Sequence, residues 1–196
     1  MSNISMTTSK RNAIVTVMLI SAFVSMLNQT ILNTALPAII KGLNITETTA
    51  QWLITGFMLV NGIMIPLTAF LMDKYSTRHL YIFSMAIFLI GSIIAAFSPT
   101  FTILMISRII QAIGAGILLP LMQFTVFTLF PAEQRGFAMG LAGVVVQSAP
   151  AIGPTLTGLF VDLFSWRMPF YLVSAIAAVA FILGFFFVEN NTKTKD

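Results

Sequence analysis

Arg108 lies inside the apolar run FTILMISRIIQAIGAGILLPLM (101–122), about eight residues from its nearer end, and no carboxylate occurs anywhere in that stretch. A cation at membrane depth costs roughly 2.5 kcal/mol or more unless it faces protein or water, so such a residue marks a pathway or a structural lock. The first apolar run carries a second polar group: Ser21, Ser25, Asn28, Gln29 and Asn33. Separations of three, four and eight put most of them on one helical face, which should look toward protein or water. For Ser21 and Ser25 the spacing predicts hydrogen bonds between helices. For the larger amides Asn28, Gln29 and Asn33 it predicts the lining of a central cavity. No acid stands in this stripe, and an amide cannot titrate, so the span supplies binding polarity without proton coupling of its own.

Further along, GVVVQSAPAIGPTLTGLFVD (143–162) places Pro150 and Pro154 one turn apart, with Gly153 and Gly158 beside them. Proline removes a backbone donor and glycine permits close approach, so this helix should be bent or locally soft. A close-packed interface and a hinge are both compatible with it. The short segment DKYSTRH (73–79) gathers Asp73, Lys74, Arg78 and His79 at a membrane face, where mixed charges are solvated and help set topology. His79 is the only histidine and has no carboxylate or second histidine accompanying it in sequence, so it is expected to be interfacial rather than a ligand.

The elements that must position these residues follow from composition. Of 196 residues, 58% are hydrophobic and 8% charged, and the apolar ones come in blocks of membrane-spanning length, unlike a soluble domain. The blocks lie at roughly 14–36, 51–72, 80–98, 101–129, 136–163 and 169–188, each near or above the ~20 residues that a helix needs to cross ~30 Å of hydrocarbon. Uninterrupted runs without ten-residue alternation exclude a barrel. The expected fold is therefore an all-α bundle of six transmembrane helices. Its connections are short apart from a polar stretch around KGLNITETTAQ (41–51), where Thr46 or Thr48 would cap the second helix.

No cysteine is present, which excludes disulfides and cysteine-ligated metals. Lys10 and Arg11 precede the first block, which is longer than a signal-peptide core and lacks a small-residue cleavage site, so it reads as a retained span. With the N-terminus inside, Lys10, Arg11, Lys74, Arg78, Arg135, Lys193 and Lys195 fall on the cytoplasmic side and only Lys41 and Arg167 outside. This predicts a cytoplasmic segment 1–13, a bundle over 14–188 and a cytoplasmic tail 189–196. The net charge of +4 is then topogenic, and no nucleic-acid partner is expected. Neither a metal-ligand cluster, a nucleophile–base pair nor a phosphate loop is present, so the chain is not expected to be an enzyme.

Several segments together resemble the N-terminal six-helix half of a major facilitator superfamily transporter, and most of all the drug:proton antiporters with fourteen spans. LNQTILNTALP (27–37) is similar to that group's first-span signature, and AQWLITGFMLVNGIMIPLTAFLMDKYSTRHL (50–80) to its second span and following loop. SRIIQAIGAG (107–116) resembles the fourth-span Arg–Gln–Gly motif, FPAEQRGFAMGL (130–141) the loop after it, APAIGPTLTG (149–158) the fifth-span antiporter motif, and SWRMPFYL (165–172) the start of the sixth span. The resemblance implies two inverted three-helix units in the plasma membrane and multidrug efflux by alternating access, driven by a proton gradient without a bound cofactor. It assigns Arg108, Gln111 and Gly114 to substrate or proton coupling, and Gly153, Pro154 and Gly158 to the hinge that the spacing of Pro150 and Pro154 already suggests. Asp73 and Arg78 become a cytoplasmic gate, with Glu133 and Arg135 in the same ionic cluster.

The sequence departs from that pattern at several positions. Asn28 stands where an acid is usual, Ala69 and Ser76 replace loop glycines, and Ala149 and Thr157 replace glycines of the fifth-span motif. A left-handed backbone at Ser76 would be less comfortable than at glycine. A facilitator also needs two six-helix halves, so the chain is expected to be a fragment, or to pair with a missing C-terminal half or a second copy, within a lipid bilayer. The implied substrates are hydrophobic, often cationic small molecules; a non-transporting remnant or scaffold is the alternative.

Overall fold

In a computed structural model, residues 8–188 are described, and they form six α-helices: α1 (Thr8–Leu43), α2 (Glu47–Lys74), α3 (Thr77–Ala96), α4 (Phe101–Leu129), α5 (Ala132–Leu163) and α6 (Met168–Phe187). Residues 1–7 and the tail 189–196, with Lys193 and Lys195, lie outside the described residues. All six helices are long and apolar enough to cross a membrane, so the chain is a multi-pass membrane protein. The bounds of α4 coincide with the apolar block 101–129, whereas α1 and α2 run past theirs. Hydropathy marks the part of a helix that sits in hydrocarbon; its hydrogen-bonded ladder continues into the headgroup region. The 36 residues of α1 correspond to ~54 Å at 1.5 Å per residue, well beyond a ~30 Å core.

The polar stretch 41–51 is not an extended loop. Most of it is absorbed into helix ends, leaving three residues, 44–46, between α1 and α2. Asn44 takes a left-handed backbone (φ 51°), and Ile45 N–H bonds back to Ile40 C=O at 3.2 Å, the 6→1 bond that closes a helix C-terminus. Thr46 then caps α2, its hydroxyl accepting from Thr49 N–H at 3.2 Å. Thr100 does the same for α4 from Ile103 N–H. Ser76 is extended (φ −68°, ψ 150°) and caps α3 through His79 N–H. The expected left-handed strain at Ser76 is therefore absent, and its hydroxyl performs a role that glycine has no side chain to fill.

The helices pack in a pattern that survives exchanging α1, α2 and α3 with α4, α5 and α6. Helix α4 lies on α2 and α3, α1 lies on α5 and α6, and α1 meets α4 and α3 meets α6 at the centre of the relation. Such self-correspondence is the mark of a bundle built from two repeated three-helix units. Burial follows: the most apolar windows of α1 and α4 are 61% and 56% buried, those of α2 and α5 28% and 22%. Helices α1 and α4 are thus the interior pair, and α2 and α5 turn most of their surface outward.

Close approaches rest on small residues. A Cβ on Gly114 of α4 would sit 2.9 Å from Phe88 N and 2.5 Å from Ser84 O, so α3 and α4 touch backbone to backbone there. A Cβ on Gly153 of α5 would collide with the Thr30 side chain of α1. The same test on Gly158 finds no neighbouring atom within 4 Å.

Candidate functional site

The fourth helix carries Arg108 and Gln111 one turn apart, which places both side chains on its buried face. Arg108 is 1% exposed and Gln111 fully enclosed. Arg108 Nη1 donates to Gln111 Oε1 at 2.8 Å, and the guanidinium carbon lies 4.1 Å from the centre of the Phe57 ring of α2. A desolvated cation over a ring face gains about 2 kcal/mol. Gln111 Nε2 in turn donates to Ser92 Oγ of α3 at 3.0 Å and, more weakly, to Asn28 Oδ1 of α1 at 3.4 Å. Four helices therefore meet at one polar cluster within an apolar bundle, and Ser92 closes it by donating to Phe88 C=O.

Arginine has donors only, and that fixes the direction of the whole chain. Gln111 must present its carbonyl to Arg108, so its amide points away; Asn28 must meet that amide with its carbonyl, so its own NH2 points on. Two buried donors of the cluster, Arg108 Nε and Asn28 Nδ2, are left with no acceptor among the described residues.

Of the other expected pathway residues, Gln29 is half-buried and Asn33 exposed; neither belongs to this cluster. Ser21 bridges helices: its hydroxyl is 2.7 Å from Tyr81 Oη of α3, which donates to Ala180 C=O of α6 at 2.9 Å. Ser92 and Phe57 escaped the sequence reading. A lone serine in the last turns of an apolar helix is unremarkable in type, and nothing in an isolated phenylalanine announces a cation against its face.

The four residues expected at the gate share one end of the bundle, but the structure does not bring them into one ionic cluster. Asp73 and Glu133 are exposed. Arg78 Nη2 donates to Phe185 C=O near the end of α6 at 3.1 Å, and Arg135 Nε donates to Phe130 C=O at the end of α4, also at 3.1 Å. Each cation thus satisfies a carbonyl left over at a helix C-terminus, where the helix dipole favours positive charge. At the other end Arg167 repeats the arrangement, its Nη2 donating to Ser98 C=O just past α3 at 2.8 Å. His79 pairs through Nδ1 with Ser76 Oγ, 2.7 Å away, and is exposed.

Of the expected hinge residues, Pro150 and Pro154 both lie inside the continuous helix α5, Pro154 exposed and Pro150 half-buried. Thr157, buried one turn from Gly153, returns its hydroxyl to Gly153 C=O at 2.7 Å. Between α1, α4 and α5 lies an open groove of about 300 Å³ whose wall includes Met26, Met122, Met139, Gln123 and Gln147. Methionine supplies an adaptable apolar wall and the two amides supply hydrogen bonds. Gln147 was within reach of a sequence reading, being the one carboxamide of the fifth apolar block; Gln123 is legible only as a partner across the groove.

The chain also has relatives among known proteins. The family model for the Major Facilitator Superfamily matches residues 18–196. The chain is 51% identical over 182 residues, 93% of its length, to the uncharacterized MFS-type transporter YcnB of Bacillus subtilis, of which it covers 39%. It is 40% identical over 90% of its length to the lincomycin resistance protein LmrB of the same organism, covering 37% of that protein. With the B. subtilis multidrug transporter protein MdtP the identity is 32% over 89% of the chain and 32% of the relative. The chain thus spans somewhat over a third of the length of YcnB and LmrB.

Proposed function

This chain belongs to the Major Facilitator Superfamily, a family of membrane transporters rather than enzymes, and from that premise we propose that it forms one wall of an alternating-access pathway for the efflux of hydrophobic small molecules. The observation that carries the reading is the buried Arg108–Gln111–Asn28 cluster, set where the two interior helices meet. A charge held at that depth by polar groups from several helices is costly and fits a pathway that must change its hydration during transport. The names of two relatives, the lincomycin resistance protein LmrB and the multidrug transporter protein MdtP, support the substrate class.

The opposing wall is a second six-helix body, either a matching C-terminal half or a second copy. It would cover the outward surfaces of α2 and α5, complete the groove beside Gln123 and Gln147, and meet Asp73 and Glu133 at the gate. Proton antiport drives the cycle. Asn28 cannot titrate, and the described carboxylates Glu47, Asp73, Glu133 and Asp162 all stand within two residues of a helix end; the coupling carboxylate is therefore contributed at the gate or by the opposing wall. The protein sits in the cell membrane with both termini cytoplasmic, as the distribution of its lysines and arginines supports.

The test is efflux of a fluorescent cationic dye from a drug-sensitive host. The chain expressed with a matching C-terminal half is expected to extrude dye and to lose this on Arg108→Ala while still inserting in the membrane. Extrusion that survives Arg108→Ala would sink the proposed pathway. Extrusion by the chain alone, with crosslinking as a homodimer, would identify the opposing wall as a second copy.

A further inference from the structure

The groove between α1, α4 and α5 carries its polarity at its two ends. Gln123 stands six residues before the end of α4, and Gln147 stands fifteen residues after the start of α5. The two helices run antiparallel from a two-residue turn, so at 1.5 Å per residue the glutamines differ in height by roughly 13 Å along the bundle. The other groove residues of these helices, from Met122 and Met139 up to Val146, fall between those heights. The wall is therefore apolar in the middle and amide at either end, and about 300 Å³ drawn out over that length leaves the cross-section of a single ring or chain. Both glutamines are exposed, and neither carboxamide bonds to another of the described residues; those of Gln111 and Asn28, in contrast, are held in the cluster around Arg108. A carboxamide at membrane depth with no partner is costly, whereas one that faces a ligand offers it two donors and an acceptor. No charged residue lines the groove.

We propose that this groove binds an elongated, uncharged molecule with a hydrogen-bonding group at each end and a flat apolar middle. Gln123 and Gln147 take the two ends, and the thioethers of Met26, Met122 and Met139, flexible enough to follow a flat surface, lie along the middle. Gly143 is the floor: a Cβ there would meet no atom within 4 Å, so the space above it belongs to the ligand. A cationic cargo gains nothing from this wall and takes its countercharge from the opposing one. Binding is a property of α1, α4 and α5 of this chain; only the step from ligand to cargo rests on the transport reading.

The experiment is equilibrium dialysis of biphenyl-4,4′-diol, 4-hydroxybiphenyl and biphenyl against the purified 196-residue chain in detergent, with protein-free micelles correcting for partition. This rigid series carries a hydroxyl at both ends, at one end and at neither. Saturable binding is expected, tightest for the diol and weakest for biphenyl. Gln123→Leu and Gln147→Leu should each weaken the diol about fivefold, the worth of one hydrogen bond, and leave biphenyl unchanged. Both glutamines are exposed and leucine suits a membrane-spanning helix, so these variants keep the fold, which circular dichroism checks. Gly143→Leu is a second arm that touches neither amide: it fills the groove and should abolish saturable binding of all three. Tetraphenylphosphonium, a cation without a hydrogen-bonding group, should leave the diol bound. Equal affinities across the series, glutamine variants that bind the diol like the wild type, diol binding retained by Gly143→Leu, or displacement by tetraphenylphosphonium would overturn the proposal. In a completed transporter, diol extrusion should show the same dependence on Gln123 and Gln147; binding that is intact without any extrusion would sink the transport reading and leave the site standing.

Discussion

At the scale of single residues, the arrangement around Arg108 depends on the shape of its side chain as well as its charge. The planar guanidinium lies over Phe57 and at the same time directs Nη1 at Gln111, a combination that a lysine ammonium, a compact point charge on a flexible stem, does not reproduce. Arg108→Lys in a complete transporter is therefore expected to insert normally but to recover little of the efflux lost in Arg108→Ala, measured as initial dye-extrusion rate. Gln111→Leu removes the link between Arg108, Ser92 and Asn28 and leaves buried groups without partners. It should lower stability by about 1–3 kcal/mol in detergent unfolding. Asn28→Asp adds a group that titrates, so transport by the complete protein should become more pH-dependent. An unchanged pH profile would remove Asn28 from the pathway.

At the scale of helices, the two glycines of the fifth-helix motif separate cleanly. Gly153 touches Thr30 where α1 and α5 meet, while Gly158 has open space where its Cβ would be. Gly153→Ala should push the helices apart and cost about 1–3 kcal/mol, whereas Gly158→Ala should be neutral or stabilise by up to ~1 kcal/mol, since alanine is the better helix former. Equal losses in thermal unfolding would contradict the packing described. The ends of α3 and α6 are tied reciprocally, Arg78 near the start of α3 to a carbonyl near the end of α6, and Arg167 beside the start of α6 to Ser98 beyond the end of α3. Arg78→Ala and Arg167→Ala are each expected to lose about 1 kcal/mol, and their effects should add in the double variant because the ties lie at opposite ends of the bundle.

At the scale of the whole molecule, the loops of two to four residues force successive helices to alternate in direction, so one assignment of side settles all of them. The natural absence of cysteine makes this measurable. Thr46→Cys should react with a membrane-impermeant maleimide added to intact cells, and Gln134→Cys only after the cells are opened; the reverse pattern would invert the proposed topology. Expressed by itself, the chain is expected to reach the membrane as a six-helix bundle and to confer no efflux, since α2 and α5 then face lipid with nothing to rock against.

Six spans, their all-α character and the family itself were present in the sequence, because hydropathy over about 20 residues is a property of contiguous chain and the solvent it selects acts locally. The depth of Arg108 was legible for the same reason. Its partners were only partly so: Gln111 stands one turn away on the same helix, but Ser92 and Asn28 are 19 and 83 residues distant from Gln111, and only packing three helices together decides that these amides and this hydroxyl meet. The same holds for the gate residues, whose cations turn to helix-end carbonyls rather than to Asp73 and Glu133, and for Asn33, which stands one turn beyond Gln29 but which the bundle leaves exposed. A helical period tells which residues share a face; which part of that face another helix covers is set by crossing and close approach, through contacts such as those at Gly114 and Gly153, and these exist only in the folded molecule.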